Sequence, residues 1–589
     1  PTAVGGVIEF DVTAPVSAAV PLEETGLKSF DDWSPDKTGT IPVTAKLQEA
    51  VVWCQNNQRT LYIPPGTYLV DGTIELRAQS SNSNSGRFPY IHGDAYNRPV
   101  IKLADGTFAG STSPENAIPV FRLRHEDFPT RNSAWIFFSI FANVDFDLGD
   151  NPGACALNYA AAQDSHLYNV SITGTNFAAG IVGQPGRNAG NINLEVIGGR
   201  YGIVMHDAVG INLTGVRLIG QSEAALKINN WDGSTVVGLE SSGPGPAIVI
   251  PSGGNSRQGR VYILDARIEI TDPTKPAIQL NDRPLVLRDV YIKGTDQLVA
   301  GSVHSLSAPV GNAWAHVATF ASAPADVNGK PAMNHLDGVK YTGHRVDEVS
   351  VVAEAPLDLR TRHLPGEIFA FNHPEAVNAL TFPGTTAAAK IQAALDGPDR
   401  VIYVPRGTHL LDTPLVVPAG KVLLGDPGKT TFLTPTYTPT SHTFVVSTEN
   451  AEGWVALQDL YIATRNLAFD GAVHWQTSDG VMQNLRGFRA STNTEVDART
   501  FQFSGQAGGK FYGLANHRNI AATATQPASA NYRKVLVLGT SNPITFYGLN
   551  LERGGEKFNI PQPAPFGELI DCRNVRILGA KTEPDMGPA

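Results

Sequence analysis

A segment of thirteen residues occurs twice in this chain, as Arg59-Thr-Leu-Tyr62-Ile-Pro64-Pro-Gly66-Thr67-Tyr-Leu69-Val-Asp71 and as Arg400-Val-Ile-Tyr403-Val-Pro405-Arg-Gly407-Thr408-His-Leu410-Leu-Asp412, identical at seven positions. Each copy follows a stretch with apolar residues at helical spacing, Lys46 to Asn56 and Ala387 to Leu395, and each is followed by a Gly-Asp pair, Gly93-Asp94 and Gly425-Asp426. The unit reads as helix, strand, then turn. That order suits the entrance of a solenoid, where a helix covers the open apolar end and Pro-x-Gly turns the chain into the first coil. Two copies imply two homologous domains, with the first over 1–345, a linker over 346–375 and the second over 376–589.

Beyond each entrance come short β-branched runs separated by Gly, Asn and Asp, among them Leu167 to Ile172, Ile192 to Val196, Ile211 to Leu218, Val236 to Leu239, Val261 to Ile270 and Leu285 to Ile292. Their starts recur at roughly 19 to 25 residues, the period of coils that must stack to bury a face. A pair of β-sandwiches would instead show tight two-residue hairpin turns, and the turns here are irregular in length. The expected fold is all-β, two tandem right-handed parallel β-helices with N-terminal capping helices. Asn191, Asn193 and Asn212 read as turn or stacking residues of the solenoid. With 589 residues, the chain is also longer than one core usually serves.

The formal charge of -10 comes from 55 acidic against 45 basic residues without a run of Lys or Arg, which argues against a nucleic-acid partner. Cys54, Cys155 and Cys572 are too far apart for a metal motif and read as buried small side chains rather than a disulfide framework. No stretch is long and apolar enough for a membrane span; the opening Pro1 fits leader removal and equally a trimmed start, and secretion is expected mostly from the fold and the family resemblance. P-loop, Rossmann, zinc and nucleophile-elbow signatures are lacking; no cofactor and no metal are expected.

In a β-helix the interior is packed solid, so chemistry belongs on an outward face, in a loop, or between two solenoids. Phe546-Tyr547-Gly548-Leu549-Asn550-Leu551-Glu552-Arg553 and Val575-Arg-Ile-Leu-Gly579-Ala-Lys581-Thr582-Glu583 read as two successive coils, each ending in a carboxylate. Paired carboxylates suit glycoside cleavage, one protonating the leaving oxygen and the other serving the water or the sugar cation. Surface glutamates of no function have the same appearance in a sequence.

The duplicated Tyr-x-Pro-x-Gly-Thr turn and the closing Tyr-Gly-x-Asn-x-Glu and Lys-Thr-Glu segments, with Ala156 to Val170, Gly198-Gly199-x-Tyr201-Gly202 and Asn230-Trp231 between them, resemble glycoside hydrolase family 55 in order from about Leu47 to Glu583. The resemblance implies an inverting, exo-acting β-1,3-glucanase with its site in the cleft between two side-by-side β-helices and a polysaccharide as its partner; a monomer is the default expectation. It also implies that Glu583 is the general acid, that Glu552 matches the glutamate of the family's Glu-His motif, and that Gln163 helps place the attacking water. Trp231, Trp475 and Tyr201 are candidates for stacking on sugar faces, with Asn188, Lys581 and Arg553 as further substrate contacts. His206 and Asp207 lie in the same region, His206 reading as structural.

The sequence departs from the family pattern at Arg553, where His is usual, at Lys581, where Gln is usual, and at Tyr159, where Trp is frequent. On an extended strand Lys581 and Glu583 share a face, and a cation there lowers a carboxyl pKa, the opposite of what a general acid needs. Either Lys581 points away or meets substrate, or Glu583 is not a conventional acid and the specificity is divergent. Gly554 to Phe566, with three prolines, reads as a cleft-wall loop. Two alternatives stay open: a polysaccharide lyase, with Lys581 as the suggestive base, and a non-catalytic glycan-binding solenoid.

Overall fold

The computed structural model describes residues 20–78, 88–110, 113–125, 136–162, 164–186, 190–206, 210–230, 233–252, 259–324, 335–428, 430–438, 440–464, 470–489, 499–516, 533–550 and 567–580. They form two parallel β-helices. The main sheet of the first runs through Thr60–Ile63, Tyr90–Gly93, Ile140–Asp147, His166–Thr173, Gly190–Ile197, Ile211–Ile219, Ser234–Gly243, Val261–Ile270 and Leu285–Lys293, each parallel to the next. A second sheet of ten strands, from Ile74–Ala78 to Leu306–Ser307, closes the other side. The far end of the main sheet is finished by two antiparallel strands, Trp314–Ala323 and Gly343–Val352. The expected linker start at 346 therefore falls inside a strand, and the connector begins after Val352.

The second solenoid has three sheets of eight, five and six strands, its main sheet running from Ala376–Asn378 through Val401–Val404, Val422–Gly425, Trp454–Gln458, Asp479–Gln483, Gly509–Tyr512 and Ile544–Tyr547 to Val575–Leu578. Each solenoid has its own apolar core. Phe121, Phe141 and Phe146 pack in the first and Phe503, Phe511 and Phe546 in the second, each wholly or almost wholly buried. Interior columns of aliphatic and aromatic side chains follow from strands stacked in register, since equivalent positions of successive coils lie about 4.8 Å apart.

The repeated segment does the same work twice. Helix α1 (Thr44–Asn56) and helix α2 (Ala387–Asp396) cover the two entrances. The aspartate ending each copy accepts from the threonine at the helix start, Thr44 Oγ1 to Asp71 at 2.5 Å and Thr386 Oγ1 to Asp412 at 2.9 Å. Gln48 and Gln392, further along the same helices, each make paired amide bonds to the backbone of the adjoining strand, at Glu75 and Val416. Even the Tyr68/His409 difference is conservative, because both side chains donate to the carbonyl of the motif's first proline, Pro64 or Pro405.

Each main sheet is kinked by a column of residues with positive φ. In the first it is Asn143, Asn169, Asn193, Gly215, Gly238, Asp265 and Asp289, and in the second Asp459, Asn484, Gly513, Gly548 and Gly579. Asn, Asp and Gly are the residues that tolerate this conformation. The asparagines also form a ladder, Asn169 Nδ2 donating to Asn143 Oδ1 and Asn193 Nδ2 to Asn169 Oδ1, both at 2.9 Å. The stacking expected of Asn193 is thus observed. Cys54, Cys155 and Cys572 are all free thiols.

Candidate functional site: the seam between the solenoids

The outward faces of the two main sheets pack against each other, with Tyr90, Ile140, Tyr168, Ile192 and Val237 from the first meeting Val481, Tyr512 and Tyr547 from the second. Polar contacts fix the register of this seam. Thr60 Oγ1 donates to the Pro427 carbonyl at 2.7 Å, Arg486 Nη2 to the Asp164 carbonyl at 2.5 Å, and Asn212 Nδ2 to the Gly579 carbonyl at 3.1 Å. A Cβ on Gly513 would lie 2.7 Å from Cε1 of His166, and one on Gly579 would overlap Oδ1 of Asn212. His166 and Asn212 stand two coils apart, as do Gly513 and Gly579. The solenoids therefore run parallel with matched coil steps, and the glycines of the second kink column permit the close approach.

Around Asp164 the seam is closed to solvent, with Asp164 and Arg486 both buried. Arg486 is buried, lies 4.5 Å over the ring of Phe138 and sits 3.7 Å from the Asp164 carboxylate. Burial, with the Arg486 charge adding to it, lowers the pKa of His166 to about 3, so this imidazole is neutral at any working pH.

The connector is clamped between the two sheets. His363 Nε2 meets Asp265 of the first solenoid at 2.7 Å and its Nδ1 meets the Tyr547 hydroxyl of the second at 2.8 Å, while Tyr512 donates to the His363 carbonyl at 2.6 Å. Leu364 fills the space over Gly215, where a Cβ would overlap it, and Arg360 bonds Asn193 Oδ1 at 2.6 Å, continuing the asparagine ladder. Glycine replaces asparagine in the column where the connector lies on it.

At the entrance end, the two Gly-Asp pairs form reciprocal locks. Asp94 accepts from Tyr62 of its own solenoid at 2.6 Å and from Asn372, just before the second solenoid, at 2.7 Å. Asp426 accepts from Tyr403 of its own solenoid and from the amide of Gly26, just before the first, at 2.8 Å. Burial pushes Asp426 up to about 7 against the lowering effect of the Gly26 and Arg406 amides, and pushes Asp459, on the next coil of the same sheet, up to about 6. Beside Asp426 a cavity of about 370 Å³ opens between the solenoids, lined by Arg59, Arg406, Phe88, Tyr90, Phe432 and Thr430 among others. Burial, followed by the like charge of Arg59, lowers the pKa of Arg406 there.

Of the residues expected from the sequence, Gln163, Asn188, Trp231, Asp207, Glu552, Arg553, Lys581 and Glu583 lie outside the described residues. Trp475 is a correction. It is wholly buried in the second core, its indole N–H donating to the Thr477 and Gly508 carbonyls, and offers no face to a sugar. Tyr201 stands on the outer side of the other sheet, with Arg200 and Lys227 5.8 and 5.6 Å over its ring. Lys227 pairs there with Glu115 at 2.7 Å, and although burial opposes it, bonds from Lys227 and Ser113 hold Glu115 at about 2. Asn212, read from the sequence as a turn or stacking residue of one solenoid, also makes a contact between solenoids. The buried Arg486–Asp164 and His363 contacts escape sequence reasoning because their partners are 98 to 322 positions away.

A sequence profile of the family described as rhamnogalacturonase A/epimerase, pectate lyase-like, matches residues 30–244 and 384–561. The chain belongs to that family, which makes it a polysaccharide-active, pectate-lyase-like β-helix protein. No curated protein sequence matches it. Among solved structures, similar chains include the tailspike protein gp49 from Pseudomonas phage LKA1 (9% identity, 82% of this chain and 84% of that one, TM-score 0.26). Others are the surface protein and adhesin PfbA of Streptococcus pneumoniae (12%, 94% and 100%, TM-score 0.25) and the catalytic unit of the GH87 alpha-1,3-glucanase of Streptomyces thermodiastaticus (11%, 87% and 73%, TM-score 0.20). Likenesses at this level say nothing about reaction or substrate.

Proposed function

We propose that the protein is a secreted glycoside hydrolase that cleaves polysaccharide at the rim of the seam, and specifically an inverting, exo-acting β-1,3-glucanase with Glu583 as general acid and Gln163 and Glu552 serving the water. The observation that carries this reading is the register of the seam. Gly548 and Gly579 occupy successive coils of the kink column, and Glu552 and Glu583 each follow one of them by four residues. Gln163 adjoins Asp164, which Arg486 of the second solenoid binds. Equal offsets from neighbouring coils support two carboxylates acting together, as glycoside cleavage requires.

The test is incubation of the purified protein with laminarin and a panel of β-glucans, β-galactans and uronans beside Glu583→Gln, followed by product chromatography. Glucose released from laminarin and lost in the variant supports the assignment. Inactivity on laminarin with cleavage of another polymer refutes the β-1,3 specificity, and binding without any product refutes hydrolysis.

A second reading, a hydrolase or epimerase acting on a uronic-acid polymer, is favoured by the family's description and by Arg59 and Arg406 in the entrance cavity. Two guanidinium groups in one partly enclosed space suit a carboxylate-bearing sugar. Polygalacturonan and rhamnogalacturonan in the same panel, with detection of saturated uronate-ended fragments and of epimerised uronate, separate it from the first.

A further inference from the structure

The first solenoid ends differently from the second. Its last parallel strand in the main sheet, Leu285–Lys293, is followed by the antiparallel pair Trp314–Ala323 and Gly343–Val352, and at this end His304, His344 and Asp347 converge. Their ligand atoms all lie within 4.8 Å of one another. His304 Nε2 is 2.8 Å from Asp347 Oδ2 and His344 Nδ1 is 3.5 Å from Oδ1, so two imidazoles address the two oxygens of one carboxylate. The rings stack at 3.9 Å with 21° between their planes, and His304 also lies over Phe320, whose own ring is buried in the core.

The convergence depends on a backbone irregularity. Residues three apart on a regular strand point to opposite faces, which would separate His344 from Asp347. Ser322 pairs with His344, Ala321 with Val346 and Phe320 with Asp347, so Arg345 is an extra residue, a β-bulge. The bulge brings His344 and Asp347 to one face, the face of Phe320, and bulges commonly serve to re-aim a side chain in this way. His304 arrives from the turn after the strand Gln297–Gly301 of the other sheet.

We propose that His304, His344 and Asp347 bind a divalent transition ion of the zinc class, which ties the closing antiparallel pair to the last coil of the first solenoid. Two imidazole nitrogens and one carboxylate are a borderline-soft set that suits Zn²⁺ and leaves a position for water. Ca²⁺ and Mg²⁺ take six or more oxygens, which this set does not supply. All three side chains are at least partly exposed, so an ion has direct access and the side chains have room to close to bonding distance. This inference is independent of the seam and of the reaction there.

The test uses the full chain stripped with chelator and titrated with ZnCl₂ by calorimetry, beside His344→Ala and Asp347→Asn, with unfolding temperature followed in parallel. Neither variant disturbs the core, and His344→Ala leaves the His304–Asp347 contact in place. The expected result is one saturable equivalent in the parent, weakened at least tenfold in either variant, with a Zn²⁺-dependent rise in unfolding temperature that both variants lose. The proposal is overturned if the parent binds no Zn²⁺ saturably, if the variants bind as the parent does, showing that the ion sits elsewhere, or if CaCl₂ gives the larger stabilisation.

Discussion

Replacing Asp426 by Asn should remove a pH dependence that this one carboxyl imposes on the whole seam. Its pKa is raised from 3.8 to about 7, chiefly by burial, so the native state holds the proton more tightly than the unfolded chain does. For such a group the stabilisation is fully present below about pH 4 and is lost as pH rises through about 7. A shift of about three units at ~1.4 kcal/mol each amounts to about 4 kcal/mol between those limits. Asn is neutral throughout and fits the same bonds, its carbonyl taking the Gly26 and Arg406 amides and its NH₂ reaching the Tyr403 oxygen. Urea unfolding followed by tryptophan fluorescence, at steps from about pH 4 to about pH 8, should show the parent losing stability relative to the variant by about 4 kcal/mol across the range. A difference that stays constant with pH would mean that Asp426 is ionised in the folded protein throughout, and the argument from burial would fail.

His363→Ala removes the clamp on the connector and leaves the buried Tyr547 hydroxyl without its imidazole, costing roughly 1–3 kcal/mol; trypsin should then cut faster at Arg360 and Arg362 while each solenoid resists digestion. Gly579→Ala should open the seam, because at φ 74° an added Cβ overlaps Asn212, whereas Gly420→Ala, at φ 87° with open space around it, suffers the backbone strain alone. Comparison of their unfolding midpoints isolates the packing effect, and equal losses would refute close packing at Gly579. Asn169→Ala breaks two rungs of the ladder and places alanine at φ 53°, a loss of roughly 2–4 kcal/mol read as a lowered urea midpoint of the first solenoid.

Much of the fold was legible in the chain before any coordinates, because what makes a β-helix is local and repeated. The helix that covers an entrance, the Pro-x-Gly turn and the Asp that returns to the helix start all lie within about thirty residues, so Thr44 with Asp71 and Thr386 with Asp412 leave the same trace twice. Coil period and alternation express a core that each strand must face. The bulge at Arg345, by contrast, is set by pairing with a strand about twenty residues away, beyond what the coil period records. Trp475 shows the limit for single residues: a large aromatic reads alike whether it lines a groove or fills a core, and only the packing around its ring put it inside. The seam is a matter of tertiary structure altogether. Arg486 with Asp164, Asn212 with Gly579 and Gly26 with Asp426 join residues 322 to 400 positions apart, and the raised pKa of Asp426 exists only because two solenoids exclude water from it. Sequence determined the two solenoids because stacking is a nearest-neighbour interaction; their docking was decided in three dimensions, because it depends on which outward faces meet.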